Sequence, residues 1–238
     1  MCIRDRFVSA TKGLENGSLL RASEVIGEVL RPKIRPRIAV ISGPTFAKEV
    51  ARFEPTALVV ASSHREVADT LQAAFSGPTF RLYTSQDTIG VEIGGSIKNV
   101  VAIGAGVLHG MGLGHNPMAA LITRGLAEMT RLAVAMGGQP LTLAGLAGLG
   151  DLVLTCNGEL SRNRTVGVEL AHGRKLDEIV SSMRMVAEGI KTTNAAVDLA
   201  KRYSVEMPIS EQMFQVLNFG VSPREAIQRL MERSLKGE

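Results

Sequence analysis

Apolar and polar positions along this chain follow two different periods, and the change between them comes near residue 87. Residues 7–10 form a short apolar, strand-like run, and residues 13–17 form a turn bounded by Gly13 and Gly17. Leu19, Ala22, Ile26, Val29 and Leu30 then recur at helical spacing, which predicts a helix over 19–30. Continuous apolar runs rich in β-branched residues at 38–41 and 57–61, and a third run at 80–83, predict strands, with a helix at 65–75 among them. Continuous apolar strands alternating with amphipathic helices are expected in a sheet covered on both faces, as in doubly wound α/β folds.

Beyond Asp87 strand signals fade and helix signals dominate, so a domain boundary is expected there: 1–86 as one unit and 87–238 as a mostly helical one. Asn116-Pro117 reads as an N-cap and first-turn pair. The stripe that follows (Met118, Leu121, Ile122, Leu126, Met129, Leu132, Ala133, Met136) predicts a helix ended by Gly137-Gly138. Glu128 lies four residues from Arg124 and three from Arg131, which predicts an ion-paired outer face. Ser222-Pro223-Arg224-Glu225 has the form of a capping box opening a helix to about residue 232.

Composition narrows the class. Of 238 residues, 45% are hydrophobic and 21% charged, the balance of a globular chain. Aromatics are only 4% with no Trp, so the core must be aliphatic and methionine-rich, which favours helical packing. Cys2 and Cys156 belong to no Cys/His cluster, which argues against a zinc site or disulfide framework and fits a reducing cytoplasm. The apolar stretch 100–114 is broken by glycines and His109, so no stable membrane insertion is expected. The basic run Arg31-Pro32-Lys33-Ile34-Arg35-Pro36-Arg37 carries two prolines and no stacking aromatics. It reads as a solvated connector and not as a nucleic-acid surface.

Several motifs are candidates for chemistry. Gly104-Ala105-Gly106-Val107-Leu108-His109-Gly110 is one residue too long for a dinucleotide turn and sits where strand signals have ended, so close helix packing is the better reading. Gly145-Leu146-Ala147-Gly148-Leu149-Gly150-Asp151 is either a plain loop or a tight turn presenting Asp151. Gly43-Pro44-Thr45 follows a strand, at the end where α/β sheets bind ligands. Ser161-Arg162-Asn163-Arg164 is a compact donor set suited to a phosphate or carboxylate, or else solvated surface. Lys98, in Gly94-Gly95-Ser96-Ile97-Lys98-Asn99, stands among small residues, so partial desolvation would bring its ammonium toward a range useful for proton transfer.

Taken in order, Ala10-Thr11-Lys12-Gly13-Leu14-Glu15, Ile41-Ser42-Gly43-Pro44-Thr45-Phe46-Ala47, Gly95-Ser96-Ile97-Lys98-Asn99-Val100, Gly148-Leu149-Gly150-Asp151-Leu152, Ser161-Arg162-Asn163-Arg164 and Val186-Ala187-Glu188-Gly189 closely resemble the bacterial NAD(P)-dependent glycerol-3-phosphate dehydrogenases, from about Phe7 almost to the C-terminus. The resemblance implies α/β followed by all-α, a partial Rossmann (doubly wound) domain plus a helical dehydrogenase C-terminal domain. It also implies NADPH- or NADH-dependent reduction of dihydroxyacetone phosphate to sn-glycerol 3-phosphate, a precursor of glycerophospholipids. On this likeness Lys98 is the catalytic proton donor and acceptor. Lys12, Gly43, Thr45, Lys98, Asp151, Ser161, Arg162 and Asn163 bind substrate, while Lys12, Ala47, Arg162, Val186 and Glu188 bind cofactor. Asn99 and Thr155 line the same pocket. No metal is implied, and a homodimer is an assembly open to the group.

The family begins with a strand, a G-x-G-x-x-G turn and a helix that hold the cofactor pyrophosphate, and the resemblance finds no counterpart before Phe7, with residues 1–6 unmatched. The expectation is therefore weak NAD(P)H affinity and weak or no turnover for this polypeptide on its own. Two other readings stay open on the residues alone: a related hydroxy-acid dehydrogenase of the Rossmann-plus-helical type, and a non-catalytic helical interaction protein.

Overall fold

A computed structural model of the protein describes residues 6–31, 34–183, 185–235 and 237. The first part is a sheet flanked by helices: β1 (Arg6–Ser9), α1 (Ala22–Leu30), β2 (Arg37–Ser42), α2 (Ala47–Ala51), β3 (Thr56–Ala61), α3 (Arg65–Phe75) and β4 (Phe80–Ser85). Spatial order follows chain order. β1 pairs in parallel with β2, and β3 with β4, but β2 and β3 run antiparallel, with Ser42 opposite Val59. The sheet is therefore mixed, with the antiparallel pair at its centre. Between Ser42 and Thr56 the chain forms only the five-residue α2, too little helix to span a sheet face and return the next strand parallel.

The helical part comprises α4 (Thr88–Gly110), α5 (His115–Ala135), α6 (Pro140–Ala144), a single π-turn at Leu146–Gly150, α7 (Asp151–Asn157), α8 (Arg162–Ala171), α9 (Leu176–Ser182), α10 (Glu188–Arg202), α11 (Pro208–Phe219) and α12 (Pro223–Met231). Asp87, where the composition changes, is the N-cap of α4: one carboxylate oxygen accepts from Gly90 N and the other from Gln139 N, both at 2.8 Å. α4 is long and apolar enough to cross a membrane, yet its apolar window is wholly buried inside the fold. It is the central helix around which the others pack, and its Ile93, Ile97, Val100, Val101 and Ile103 lie at the centre of the larger apolar core.

Three further expectations change on contact with the structure, and one left open is decided. Leu19 has φ +64°, and Leu14 and Arg21 form an isolated bridge, so α1 starts at Ala22 and not at Leu19. Gly114, not Asn116, caps α5; Asn116-Pro117 falls inside its first turn. Of the two readings of the glycine run 145–150, the tight turn presenting Asp151 holds: it is the π-turn that leads straight into α7. Glu128 is not on an outer face. It is 1% exposed, and it accepts from Ile209 N (2.6 Å), Ser210 N and Ser210 Oγ (both 3.1 Å), so it caps the buried start of α11. Desolvation pushes its carboxyl up to about 7 against the pull of those donors. Ser222 caps α12 as expected, accepting from Glu225 N. The basic connector runs between α1 and β2, with its Pro32 and Lys33 outside the described residues, as are Cys2 and the rest of residues 1–5.

Candidate active site

Two glycines let three elements meet beside Lys98. A Cβ on Gly94 would stand 2.6 Å from the carbonyl oxygen of Ala147 in the π-turn, and one on Gly95 would stand 2.5 Å from Ser42 Oγ at the end of β2. The Gly94 contact is with rigid backbone, so α4 can approach the π-turn this closely only with glycine there; at Gly95 the near atom is the Ser42 hydroxyl, a side-chain end that can rotate, so the sheet and α4 meet there through that serine. The π-turn in turn delivers Asp151, the first residue of α7, fully buried against the next turn of α4.

There Asp151 is shared by two ammonium groups. Lys98 Nζ donates to Oδ1 at 2.5 Å, and Lys12 Nζ donates to Oδ2 at 2.8 Å. Thr155, one turn along α7, accepts from Lys98 Nζ at 2.8 Å while donating to the Asp151 carbonyl. Lys12 also donates to the carbonyl of Gly43 (2.7 Å), which accepts from Thr45 Oγ1 as well (2.8 Å). Gly43 has φ +143°, and a Cβ there would meet Leu58, so this carbonyl orientation needs glycine. A second chain of amides ties the helices together. Asn163 Nδ2 donates to Asn99 Oδ1 at 2.9 Å, Asn99 Nδ2 donates to the Lys12 carbonyl at 3.1 Å, and Gly189 N donates to Asn163 Oδ1 at 2.9 Å.

Lys98 is 5% exposed, and burial pushes its ammonium down to about 8; the Asp151 carboxylate resists that shift, while the charge of Lys12 adds to it. An amine poised there changes protonation near neutral pH and can give or take a proton. Cys156, also buried and one residue from Thr155, is held up to about 12, chiefly by desolvation, and is an inert thiol.

These groups border a cavity of about 500 Å³ between the sheet and the helices. Of the residues expected in the site, Lys12, Thr45, Ala47, Lys98, Asn99, Thr155, Ser161, Arg162, Asn163 and Glu188 line it. Asp151 and Gly43 stand behind the two lysines, connected through hydrogen bonds. Ser161 caps α8, accepting from Arg164 N, which points the start of that helix at the cavity. Arg162 is exposed, and its guanidinium donates to the Val186 carbonyl at 2.8 Å. Val186 itself borders a neighbouring cavity of about 410 Å³ that shares Glu188. Sequence reasoning missed Ser42 and the apolar part of the wall, Phe46 and Leu160 among it; for Ser42 the only available signal was its place just before Gly43.

Comparison with known proteins identifies the family. Residues 87–228 match the model of the NAD-dependent glycerol-3-phosphate dehydrogenase C-terminus, and residues 2–68 match that of its N-terminus. The chain belongs to the NAD-dependent glycerol-3-phosphate dehydrogenase family. The N-terminal match starts at residue 2, ahead of Phe7, where the motifs begin. A glycerol-3-phosphate dehydrogenase [NAD(P)+] of Koribacter versatilis is 60% identical over 228 residues, covering 95% of this chain and 68% of the relative; one of Citrifermentans bemidjiense is 57% identical over 231 residues, covering 97% and 69%. The crystal structure of glycerol-3-phosphate dehydrogenase from Coxiella burnetii superposes with a TM-score of 0.89 at 43% identity, covering 96% of this chain and 69% of that one. Family membership carries with it the Rossmann-plus-helical architecture and oxidoreductase chemistry with a nicotinamide cofactor.

Proposed function

We propose that this site reduces dihydroxyacetone phosphate to sn-glycerol 3-phosphate with NADPH or NADH, yielding the backbone precursor of glycerophospholipids, and that Lys98 is the proton donor. The observation that carries this reading is the buried Lys98 ammonium, clamped by Asp151 and Thr155 and bordering a cavity whose α8 side bears Arg162 and Asn163. Residues 1–86 are taken as part of the cofactor domain and 87–238 as the substrate-binding and catalytic domain.

The residues fit a nicotinamide cofactor. β1 and β2 are parallel, and their carboxyl ends lead directly to Lys12, Thr45 and Ala47 on the cavity wall, the end at which such sheets take a dinucleotide. Lys12, Ala47, Arg162, Val186 and Glu188 would hold it. Bound there, NAD(P)H supplies the hydride for the carbonyl carbon. The chain's own part is to bind, orient and protonate. Arg162, Asn163 and Ser161 take the phosphate oxygens, using a guanidinium fork, an amide and a hydroxyl. Lys98 Nζ lies against the carbonyl oxygen, stabilises negative charge as it develops, and releases its proton to form the secondary alcohol. Asp151 holds both ammonium groups in place and balances their charge. Lys12, whose side chain is 18% exposed, connects this buried pair to the cavity mouth. The free, buried Cys156 fits action in a reducing cytoplasm.

A single-turnover experiment suits this chain whatever its steady-state rate. Protein in excess over dihydroxyacetone phosphate is incubated with NADPH, and sn-glycerol 3-phosphate is assayed stereospecifically. Product should form with the unaltered chain and not with Lys98→Ala. Equal conversion of non-phosphorylated 2-oxo acids would favour the hydroxy-acid dehydrogenase reading instead.

A further inference from the structure

Several buried hydroxyl groups among the described residues are spent on partners. Ser62 Oγ donates to the Ile38 carbonyl at 2.8 Å, Ser96 Oγ to Glu92 O at 2.7 Å and Thr193 Oγ1 to Gly189 O at 2.6 Å. Ser42 departs from the pattern. It is 4% exposed, its Oγ is out of reach of solvent, and that oxygen has no hydrogen-bond partner. A buried hydroxyl left unpaired is costly, so its retention calls for a group that pairs with it in some state of the protein.

Its position indicates which group. Ser42 is the last residue of β2 and borders the same cavity as Lys98, held against the bare backbone of Gly95. Asn163, on the phosphate side, is bonded to Asn99. Gly95 and Asn99 are one turn apart on α4, about 6 Å along its axis, and Lys98 stands between them in level along that axis. The residues that Ser42 and Asn163 touch therefore lie above and below the level of Lys98 on α4, a span comparable with a three-carbon chain and its end groups. With the phosphate at Asn163 and Arg162 and the ketone at Lys98, the group left at the Ser42 end is the primary hydroxyl of the substrate. A serine hydroxyl has one donor and two lone pairs, so it pairs with another hydroxyl in either sense. Staggered χ1 wells let it turn from the Gly95 side toward the cavity.

We propose that Ser42 is a specificity-determining residue that hydrogen-bonds the C1 hydroxyl of dihydroxyacetone phosphate, so that the site recognises a hydroxymethyl ketone and discriminates against a methyl ketone. The proposal rests on the function proposed above. It assigns the third polar group of the substrate, where the lysine and the α8 residues account for the other two.

Equilibrium binding by calorimetry tests it on the chain as it stands, using dihydroxyacetone phosphate and hydroxyacetone phosphate, which differ only in that hydroxyl. The unaltered chain should prefer dihydroxyacetone phosphate by about tenfold, the worth of one neutral hydrogen bond. Ser42→Ala should bind the two ligands equally, with its affinity for hydroxyacetone phosphate unchanged within about twofold. Ser42→Thr, which keeps the hydroxyl, should restore a preference. Since Oγ has no partner in the free protein, Ser42→Ala should also melt no lower than the unaltered chain. Retention of the full preference in Ser42→Ala, an equal loss of affinity for both ligands, or a lowered melting temperature would each overturn the assignment. If the unaltered chain binds neither ligand, the proposed function fails, and the assignment fails with it.

Discussion

The cavity depends on how closely α4 and α8 approach, and Gly106 sets that distance. A Cβ built there would lie 1.9 Å from the carbonyl oxygen of Arg164 and 2.9 Å from the Cα of Gly167. Both are backbone atoms, so no side chain can swing away; to reach ordinary contact α8 must retreat by about 1.5 Å. Overpacking of this kind costs about 1–3 kcal/mol, and a clash with rigid backbone belongs at the upper end. Alanine recovers about 1 kcal/mol over glycine in a helix interior, which leaves Gly106→Ala destabilised by about 2 kcal/mol, or about 4–8 °C in Tm for a chain of this size. The retreat also carries Ser161, Arg162 and Asn163 away from Lys98, so affinity for glycerol 3-phosphate should fall with it. Gly104→Ala is the control on the same helix. Its Cβ would meet only Leu121 and Met213 side-chain atoms at 3.5–3.6 Å, an ordinary contact, and it should be neutral or slightly stabilising. Thermal melting and calorimetric titration of the two variants read both effects. If Gly106→Ala melts within a degree of Gly104→Ala and binds equally well, the close α4–α8 approach does not hold the site.

Glu128 and Arg162 supply two further predictions. The Glu128 carboxyl is pushed up to about 7 in the fold from an ordinary 4.5, so its contribution to stability is fully present below about pH 4.5 and is lost as pH rises through 7. Denaturant unfolding should therefore show that the unaltered chain loses stability between pH 6 and 8 relative to Glu128→Gln, and parallel profiles for the two would count against that pKa. Arg162→Ala removes an exposed guanidinium that donates to the Val186 carbonyl. It should weaken glycerol 3-phosphate binding by about 10- to 100-fold, as expected for a charge-assisted contact, with melting shifted by no more than about 2 °C; unchanged affinity would remove Arg162 from the phosphate grip.

Much of the architecture could be read from the chain, because periodicity is a local property. Helix α3 at Arg65–Phe75 agrees residue for residue with its apolar spacing, and Asp87 marks the change from sheet to helix as the composition does. What escaped depends on tertiary approach. Glu128, with arginines at helical spacing, has the look of a solvated face, and nothing in its own helix reveals that the start of α11 covers it. The glycines before Asp151 permitted either a loop or a tight turn; packing against α4, with Ala147 and Gly148 buried, makes them a π-turn. Direction in a sheet is likewise not written in a strand's own residues, so the antiparallel β2–β3 pair could not be foreseen. Around the site, the lysines and the α8 donors were legible as types, whereas the sharing of Asp151 by Lys12 and Lys98, fifty-three residues or more away in sequence, is a product of the fold.

The central claim is that the Lys98 ammonium donates the proton, and its folded pKa of about 8 gives that claim a direct signature. The measurement is the single-turnover rate of dihydroxyacetone phosphate reduction at saturating NADPH, followed from pH 6 to 10. With Lys98 as donor, the rate should be level below pH 8 and fall about tenfold per unit above it, and Lys98→Ala should be slower by at least about a hundredfold with no break near 8. A level profile through pH 8 in the unaltered chain, or the same break in Lys98→Ala, would contradict the account.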